Sequence, residues 1–85
     1  MVYFVYLLRC TDNSLYCGQT NDLERRVKQH NSIDSKSKYT RSRRPVRLVY
    51  FEKYKTINET LKREIEIKKM TKIKKEMLIK KLHKL

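Results

Sequence analysis

The sequence predicts a small α/β (α+β) fold, in which helices flank a three-stranded, mostly antiparallel sheet in the order β-β-α-β-α-α. Two observations predict it. Three short runs of apolar, β-branched and aromatic residues are separated by polar turns and loops, as strands are. Helical caps and helical periodicity follow the second and third runs. We expect one domain over residues 1–85, because a chain of this length buries only about 60–65% of its unfolded surface and needs a compact core.

The N-terminal half is predicted to form a β-hairpin and a helix. Residues 2–8 are a continuous apolar run, typical of a strand that is covered on both faces. The polar residues 11–14 predict a turn, and residues 15–19 form the return strand. A helix over residues 22–30 follows, with Asn21 as its N-cap and an acid three residues later that completes a capping box.

The C-terminal half is predicted to form a loop, a strand and two helices. Residues 31–44 are polar and are expected to form the loop. The third strand covers residues 46–51, and a helix covers residues 57–70. Thr71 is expected to cap the last helix, which runs to about residue 83.

The charge of the chain indicates a polyanionic partner. Twenty-two basic and nine acidic residues give a formal net charge of +13, far more than solubility requires. Nucleic acid is the expected partner. A membrane is not expected, since no run of about 18 apolar residues exists, and we expect a cytoplasmic protein. Cys10 and Cys17 are expected to be free buried thiols, because they lack the spacing of a disulfide framework or a zinc site.

The helix predicted over residues 57–70 carries a carboxylate within its apolar stripe. At 100° per residue, Ile57, Leu61, Ile65, Glu64 and Lys68 share the face that is expected to meet the sheet. A carboxylate there is costly unless it is paired, bound to a metal ion or at the edge of a cleft. Two interpretations stay open: a structural ion pair with Lys68 on a partly wet flank, or a functional carboxylate.

Five residues of the N-terminal half form a second candidate group: Tyr6, Tyr16, Gly18, Arg26 and His30. Gly18 is the only glycine and lies inside a strand, where glycine indicates a bulge or a close approach to the backbone. Arg26 and His30 share an edge of one helix. Taken singly, the tyrosines are also typical of core aromatics, the arginine of a solvated charge and the histidine of a cap.

Together these residues resemble the GIY-YIG nuclease family, and the resemblance covers nearly the whole chain. It is closest to the small stand-alone bacterial members. The matching segments, in chain order, are FVY at 4–6, YCG at 16–18, DLERR at 22–26 followed by His30, KYTR at 38–41 and LKREIEIK at 61–68. The first motif has lost its Gly and Ile. Glu76 stands where many members of the family carry an asparagine.

The resemblance implies a metal-dependent DNA endonuclease, with selectivity for DNA structure and a role in repair or recombination. The implied catalytic residues are Tyr6, Tyr16, Arg26, His30 and Glu64. Glu64 would hold one Mg²⁺ or Mn²⁺ ion, and the planar fork of Arg26 would bind the phosphate. Tyr6 would deprotonate or orient the attacking water, and Gly18 would let the substrate strand approach the backbone. The tyrosines share a sheet face only if the hairpin has an odd-length turn or a bulge.

The basic loop before the third strand is the expected binding arm for phosphates. Its candidate substrate-binding residues, beside Gly18, are Lys36, Lys38, Arg41, Arg43 and Arg44. DNA is favoured over RNA, and a protein partner would supply any sequence specificity. Two alternatives stay open: a nucleic-acid-binding module of the same fold without catalysis, and a basic structural protein bound to the ribosome or RNA.

Overall fold

The computed structural model describes residues 1–83, and it confirms the predicted class and order of elements. One addition is a short helix inside the predicted loop. The elements are β1 (Tyr3–Arg9), β2 (Leu15–Thr20), α1 (Leu23–Asn31), α2 (Lys38–Arg41), β3 (Arg47–Tyr54), α3 (Ile57–Lys68) and α4 (Lys72–His83). The sheet is antiparallel throughout, in the order β2-β1-β3. None of the helices over residues 1–83 is long and apolar enough to cross a membrane.

The central strand β1 is buried on both faces, as its continuous apolar run predicts. Val5 and Leu7 pack on one face against Ile67 of α3 and the last helix. Tyr6 and Leu8 pack on the other face, against α1. The faces are here named the α3 face and the α1 face. Cys10 and Cys17 are free and buried, one on each face.

The hairpin has the odd-length turn that the sequence demands if Tyr6 and Tyr16 are to share a face. Arg9 pairs with Leu15, which leaves a five-residue loop over 10–14. In this register Tyr6 lies opposite Gly18. Since alternate residues of a strand point to the same side, Tyr16 also lies on the α1 face.

The cap of α1 differs from the prediction. Asp22, not Asn21, is the N-cap, and its carboxylate accepts a hydrogen bond from the backbone N–H of Arg25 at 3.1 Å. The hydroxyl of Thr20 accepts from the backbone N–H of Asp22. These two local bonds begin the helix one residue later than expected, and it ends at Asn31.

The buried face of α3 also differs from the prediction. Thr60 and Ile67 are fully buried, and the side chain of Glu64 is 16% exposed. The apolar members of the predicted stripe are exposed instead, and Ile65 is 54% exposed. Polar groups can face inward here because they are hydrogen-bonded. The Thr60 hydroxyl donates to the backbone carbonyl of Thr56 at 2.8 Å, and burial of a hydroxyl costs little free energy when it is hydrogen-bonded.

An arginine on the same face of α3 ties the helix to β3. Arg63 donates two hydrogen bonds to Glu52, at 2.8 and 3.0 Å. The hydroxyls of Tyr50 and Tyr54 donate to the same carboxylate. Burial raises the pKa of Glu52, but these four bonds outweigh burial and bring its pKa below the ordinary value. This cluster therefore sets the rotation of α3 that hydrophobicity alone did not predict.

Glu76 anchors α4 to the sheet. Its carboxylate accepts two hydrogen bonds from Arg9 at the end of β1, at 2.6 and 2.8 Å. Lys72 lies 3.7 Å from the same carboxylate. Two parallel hydrogen bonds from one guanidinium to one carboxylate are the strongest form of such an ion pair. The residue that departs from the family pattern thus has a structural partner in this chain.

Candidate active site

A buried hydrogen-bond network joins β1 to α1 on the α1 face. Tyr6 is 1% exposed and His30 is equally buried. The Tyr6 hydroxyl lies 3.0 Å from His30 Nε2, and Arg26 Nε donates to the same hydroxyl at 3.4 Å. Arg26 also donates to the side chain of Gln29. The spacing of Arg26 and His30, one helical turn apart, brings both to one phenol.

The network is electrically neutral except for the arginine. Burial, partly offset by Arg26, raises the pKa of Tyr6 to about 12. Burial and the charge of Arg26 lower the pKa of His30 below its ordinary value of 6.5. At neutral pH the phenol of the protein alone therefore keeps its proton and the imidazole is uncharged.

Tyr16 lies beside this network and is only partly buried. Its ring packs edge-on against the imidazole of His30, with centroids 5.0 Å apart. Its other neighbour is the ring of Tyr39 on α2, at 5.7 Å. The guanidinium of Arg43 lies 4.1 Å from the centre of the Tyr39 ring, within the range of a cation–π contact.

A cleft of about 650 Å³ opens where these groups meet. Tyr16, Arg26 and His30 line one side, and residues of the segment 32–39 line the other. Lys36 and Lys38 are exposed cations in that lining. Tyr6 is not among the lining residues. Of the two tyrosines, Tyr16 is therefore the one that meets solvent in the cleft.

Gly18 is required by Tyr6. A Cβ atom built on Gly18 would lie 2.6 Å from Cζ of the Tyr6 ring and would also clash with the Tyr6 hydroxyl. The glycine has no positive φ, so the requirement is space and not backbone conformation. The close approach that the sequence indicated is real, but a buried tyrosine of the protein itself makes it.

The three arginines predicted to bind phosphate also hold the loop together. Arg41 donates to the carbonyl of Ser35. Arg43 donates to Asp12 in the hairpin and to the carbonyl of Tyr39. Arg44 donates to the carbonyls of Arg41 and Ser32. Phosphate binding by these arginines stays a prediction, and Lys36 and Lys38 are the loop cations that line the cleft.

Glu64 lies on the other side of the sheet from this network. It belongs to α3, and its nearest ion-pair partner is Lys68, with Nζ 3.5 Å from its carboxylate. After burial itself, the charge of Glu64 is the largest cause that raises the pKa of the Cys17 thiol to about 11. Since Cys17 belongs to β2, Glu64 lies close to this edge strand. The structure thus brings Tyr6, Tyr16, Arg26 and His30 together on the α1 face, whereas Glu64, expected in the same site, lies on the α3 face.

The donor set is compatible with a divalent ion that the substrate also holds. Within residues 1–83, no three side chains of His, Cys, Asp or Glu are close enough to form a metal cage. Mg²⁺ needs no such cage, because it commonly binds one or two carboxylates, several waters and substrate phosphates. Glu64 is the carboxylate that fits this mode.

Two contributors to the site were not predicted from the sequence. Thr40 is completely buried, and its hydroxyl lies 2.9 Å from His30 Nδ1. Tyr39 supplies the ring against Tyr16. Both belong to the KYTR segment, whose match to the small bacterial members was noted without a role. A threonine between an exposed tyrosine and an arginine gives no local sign that it will be buried.

The fold and the cleft define the class of this protein: a small basic α/β domain with a cleft that Tyr16, Arg26 and His30 line. The chain belongs to the GIY-YIG family, whose catalytic domain matches residues 2–81. A UPF0213 protein of Staphylococcus aureus strain Mu3 is 53% identical over 78 residues, with 92% of this chain and 94% of that protein covered. A UPF0213 protein of Syntrophus aciditrophicus is 48% identical over 77 residues, with 91% and 88% covered.

Two solution NMR structures resemble the fold. A protein from E. faecalis is 40% identical, with a TM-score of 0.67 and coverage of 100% of this chain and 90% of that one. A UPF0213 protein from Bacillus halodurans is 41% identical, with a TM-score of 0.60 and coverage of 94% and 84%. These likenesses agree with the topology described above.

Proposed function

We propose that this protein is an endonuclease that hydrolyses phosphodiester bonds in DNA with one Mg²⁺ or Mn²⁺ ion, in repair or recombination. The observation that carries the proposal is the basic cleft, in which Tyr16, Arg26 and His30 meet beside Lys36 and Lys38. Membership of the GIY-YIG family supports a nucleic acid as substrate. The finer choices, DNA over RNA and the structure of the preferred DNA, belong to the proposal.

Arg26 is the group best placed to hold the phosphate that is cut. Its Nε donates to the Tyr6 hydroxyl and its Nη1 to the side chain of Gln29, which orients the guanidinium in the cleft that it lines. A planar fork matches two phosphate oxygens and keeps its charge at every working pH. Charge that develops on the phosphoryl group is then stabilised by a donor that is already oriented, which is the most effective form of electrostatic catalysis.

Tyr16 is the group that would orient the attacking water. Its ring is held between His30 and Tyr39, so its hydroxyl is positioned by packing. Tyr6 is buried beneath it with a raised pKa and supports the site through Arg26 and His30. The role that the family resemblance implied for Tyr6 therefore passes to Tyr16 in this proposal.

Glu64 would hold the metal ion from the other side of the edge strand. Because β2 is an edge strand, a nucleic acid that crosses its open edge would meet the cleft on one side and Glu64 on the other. A bound ion would neutralise charge on the phosphate and the leaving oxygen. Binding would release Glu64 from Lys68, which costs little because a pair of this kind is weak when it is partly exposed.

The test is cleavage of plain duplex, flapped and branched DNA, each with Mg²⁺, Mn²⁺ or EDTA. We expect wild-type protein to cut at least one substrate with metal and none with EDTA. Glu64→Ala should abolish cleavage and leave DNA affinity equal or slightly higher, because a carboxylate near phosphates is removed. Glu66→Ala, an exposed acid of the same helix, is the matched control and should cut normally. Glu64→Ala protein that cuts at the wild-type rate would refute the proposed mechanism.

The second candidate function is a nucleic-acid-binding module without catalysis. The observation that favours it is the Glu64–Lys68 ion pair, which is the structural interpretation left open by the sequence. In that case wild-type protein binds DNA and cuts none of the substrates with either metal. Loss of folding in Glu64→Ala would support the same interpretation, whereas a folded variant with lost cleavage supports the nuclease.

A further inference from the structure

We propose that Thr40 is a positioning residue that holds His30 in one tautomer, with its hydrogen on Nδ1, so that Nε2 accepts the hydrogen of the Tyr6 hydroxyl. The inference rests on the proposed function, since it assigns a residue to the same site. It also stands on geometry of its own: Thr40 is completely buried, and His30 is the one hydrogen-bond partner of its hydroxyl in the described part of the chain.

Three side chains form an unbranched chain of hydrogen bonds, in the order Tyr6, His30, Thr40. The two bonds are 3.0 Å at Nε2 and 2.9 Å at Nδ1. A neutral imidazole carries one hydrogen, and each hydroxyl carries one. Three hydrogens are thus available for two hydrogen bonds. One hydroxyl hydrogen, that of Thr40 or that of Tyr6, must therefore point away from this chain of bonds. The tautomer of His30 decides which of the two it is.

The surroundings favour the Thr40 end. A phenol hydrogen stays near the plane of its ring, and Arg26 already donates to the Tyr6 oxygen. With Nε2 as acceptor, the Tyr6 hydroxyl both donates and accepts, which satisfies a group that is 1% exposed. The hydroxyl of Thr40 can rotate about its C–O bond, so its free hydrogen is not confined to one plane as the phenol hydrogen is. The other neighbour of the imidazole is the ring of Tyr16.

This tautomer matters for the phosphate site because the Tyr6 hydroxyl then donates to His30 and accepts from Arg26 alone. With the hydrogen on Nε2, the Tyr6 oxygen would accept from His30 and Arg26 together, and its own hydrogen would lose its acceptor. Thr40 thus acts on Arg26 through two intermediate side chains. A wrong tautomer is a recognised way to lose activity while the geometry is kept.

The loop that carries Thr40 is rigidly attached, which lets it act in this way. Its neighbour Tyr39 packs on Tyr16, and Arg43 binds Tyr39 and Asp12. The three loop arginines, whose nitrogens bond inside the protein, therefore have a purpose beyond local order: they hold α2 against the imidazole.

The experiment reads the tautomer of His30 directly, from the ¹⁵N chemical shifts of the imidazole in the whole protein at neutral pH. The chain has only two histidines, so assignment is simple. Wild type and Thr40→Ser should carry the hydrogen on Nδ1. Thr40→Val, which has the same shape without a hydroxyl, should move it to Nε2, because an Nδ1–H would have no acceptor. Thr60→Val, at an equally buried threonine of α3, is the matched control and should leave His30 unchanged.

Cleavage assays complete the test. Thr40→Val should lower kcat by about 10–100-fold, the usual effect of losing a partner that orients a site residue, with KM little changed. Thr40→Ser should restore most of the activity, which a purely structural role would not require.

Two results would overturn the proposal: a wild-type His30 with its hydrogen on Nε2, or a folded Thr40→Val protein with the wild-type tautomer. The first needs no variant and therefore decides the matter even if Thr40→Val does not fold. Failure of the nuclease proposal looks different, because wild type would then cut no DNA while the tautomer shifts are still measured.

Discussion

Gly18→Ala tests the close packing of Tyr6 against the edge strand. The added methyl group would lie 2.6 Å from Cζ of the ring, which is well inside van der Waals contact. Tyr6 cannot move away freely, because it is buried and bonded to His30 and Arg26. Overpacking of a core typically costs 1–3 kcal/mol, and a displaced hydroxyl loses about 1 kcal/mol of hydrogen bonding. We expect Gly18→Ala to lower the free energy of unfolding by about 2–4 kcal/mol.

The assay is urea denaturation followed by circular dichroism, carried out in two backgrounds. Tyr6→Leu removes the part of the ring that meets the methyl group and serves as the matched background. There Gly18→Ala should cost less than about 1 kcal/mol, since alanine is otherwise better than glycine in a strand. The difference between the two costs is the coupling energy of the pair.

Two outcomes would refute this reasoning. Equal costs in both backgrounds would mean that the methyl group clashes with something other than Tyr6. A cost below about 1 kcal/mol in the wild-type background would mean that the ring has room to shift. Partial loss of cleavage in Gly18→Ala, with folding retained at low temperature, would extend the coupling to the site through Tyr6.

Three further predictions concern stability, binding and catalysis. First, the hydrogen bonds from Arg9 hold the pKa of Glu76 below its ordinary value of 4.5. The ionised Glu76 therefore stabilises the protein above that pH, and this contribution is lost as the pH falls through the lower pKa of Glu76 in the folded protein. The stability gap between wild type and Glu76→Gln should narrow from about pH 7 to about pH 3 in urea denaturation. Second, the double variant Lys36→Ala, Lys38→Ala should weaken DNA binding and reduce the slope of log K against log salt by roughly 1.8. Third, Tyr16→Phe should stop cleavage and leave folding unchanged, as measured by cleavage assay and circular dichroism.

Matched controls separate these effects from general ones. Lys62→Ala with Lys69→Ala removes the same charge from exposed positions on or next to α3 and should change the salt slope much less. An equal change in the salt slope would mean that DNA binding depends on the total charge of the protein rather than on the cleft. If the stability difference between wild type and Glu76→Gln does not change with pH, the ion pair of Glu76 is contradicted. Full cleavage by Tyr16→Phe would exclude the Tyr16 hydroxyl from the reaction.

Local patterns in the sequence were sufficient for the elements and for most of the site. The continuous apolar run of β1 predicted a strand buried on both faces, and the requirement that two tyrosines share a face predicted an odd-length turn, which the pairing of Arg9 with Leu15 provides. The one-turn spacing of Arg26 and His30 placed them on one edge of α1. These features depend on periods of two and 3.6 residues, which the chain carries within a few positions.

Long-range contacts decided what those patterns could not. Hydrophobic periodicity predicted that Ile65 lies on the buried face of α3. The hydrogen bonds of Arg63 to Glu52 orient the helix so that Ile67 is buried instead. The charged residues of α3 gave no sign that Glu52 on β3 would be the hydrogen-bond partner of Arg63. The side of the sheet on which Glu64 lies follows from the packing of α3, whose Ile67 contacts the cluster of Val5 and Leu7.

The sequence by itself determined the order of elements, the buried central strand, the basic charge and the residues that mark the family. Only the tertiary structure decided that Gly18 makes room for Tyr6, that the loop arginines bond to the loop itself, and that Thr40 reaches His30. The physical reason is common to all three. In each case, the contacts of a polar or small side chain depend on which groups the folded chain brings opposite it.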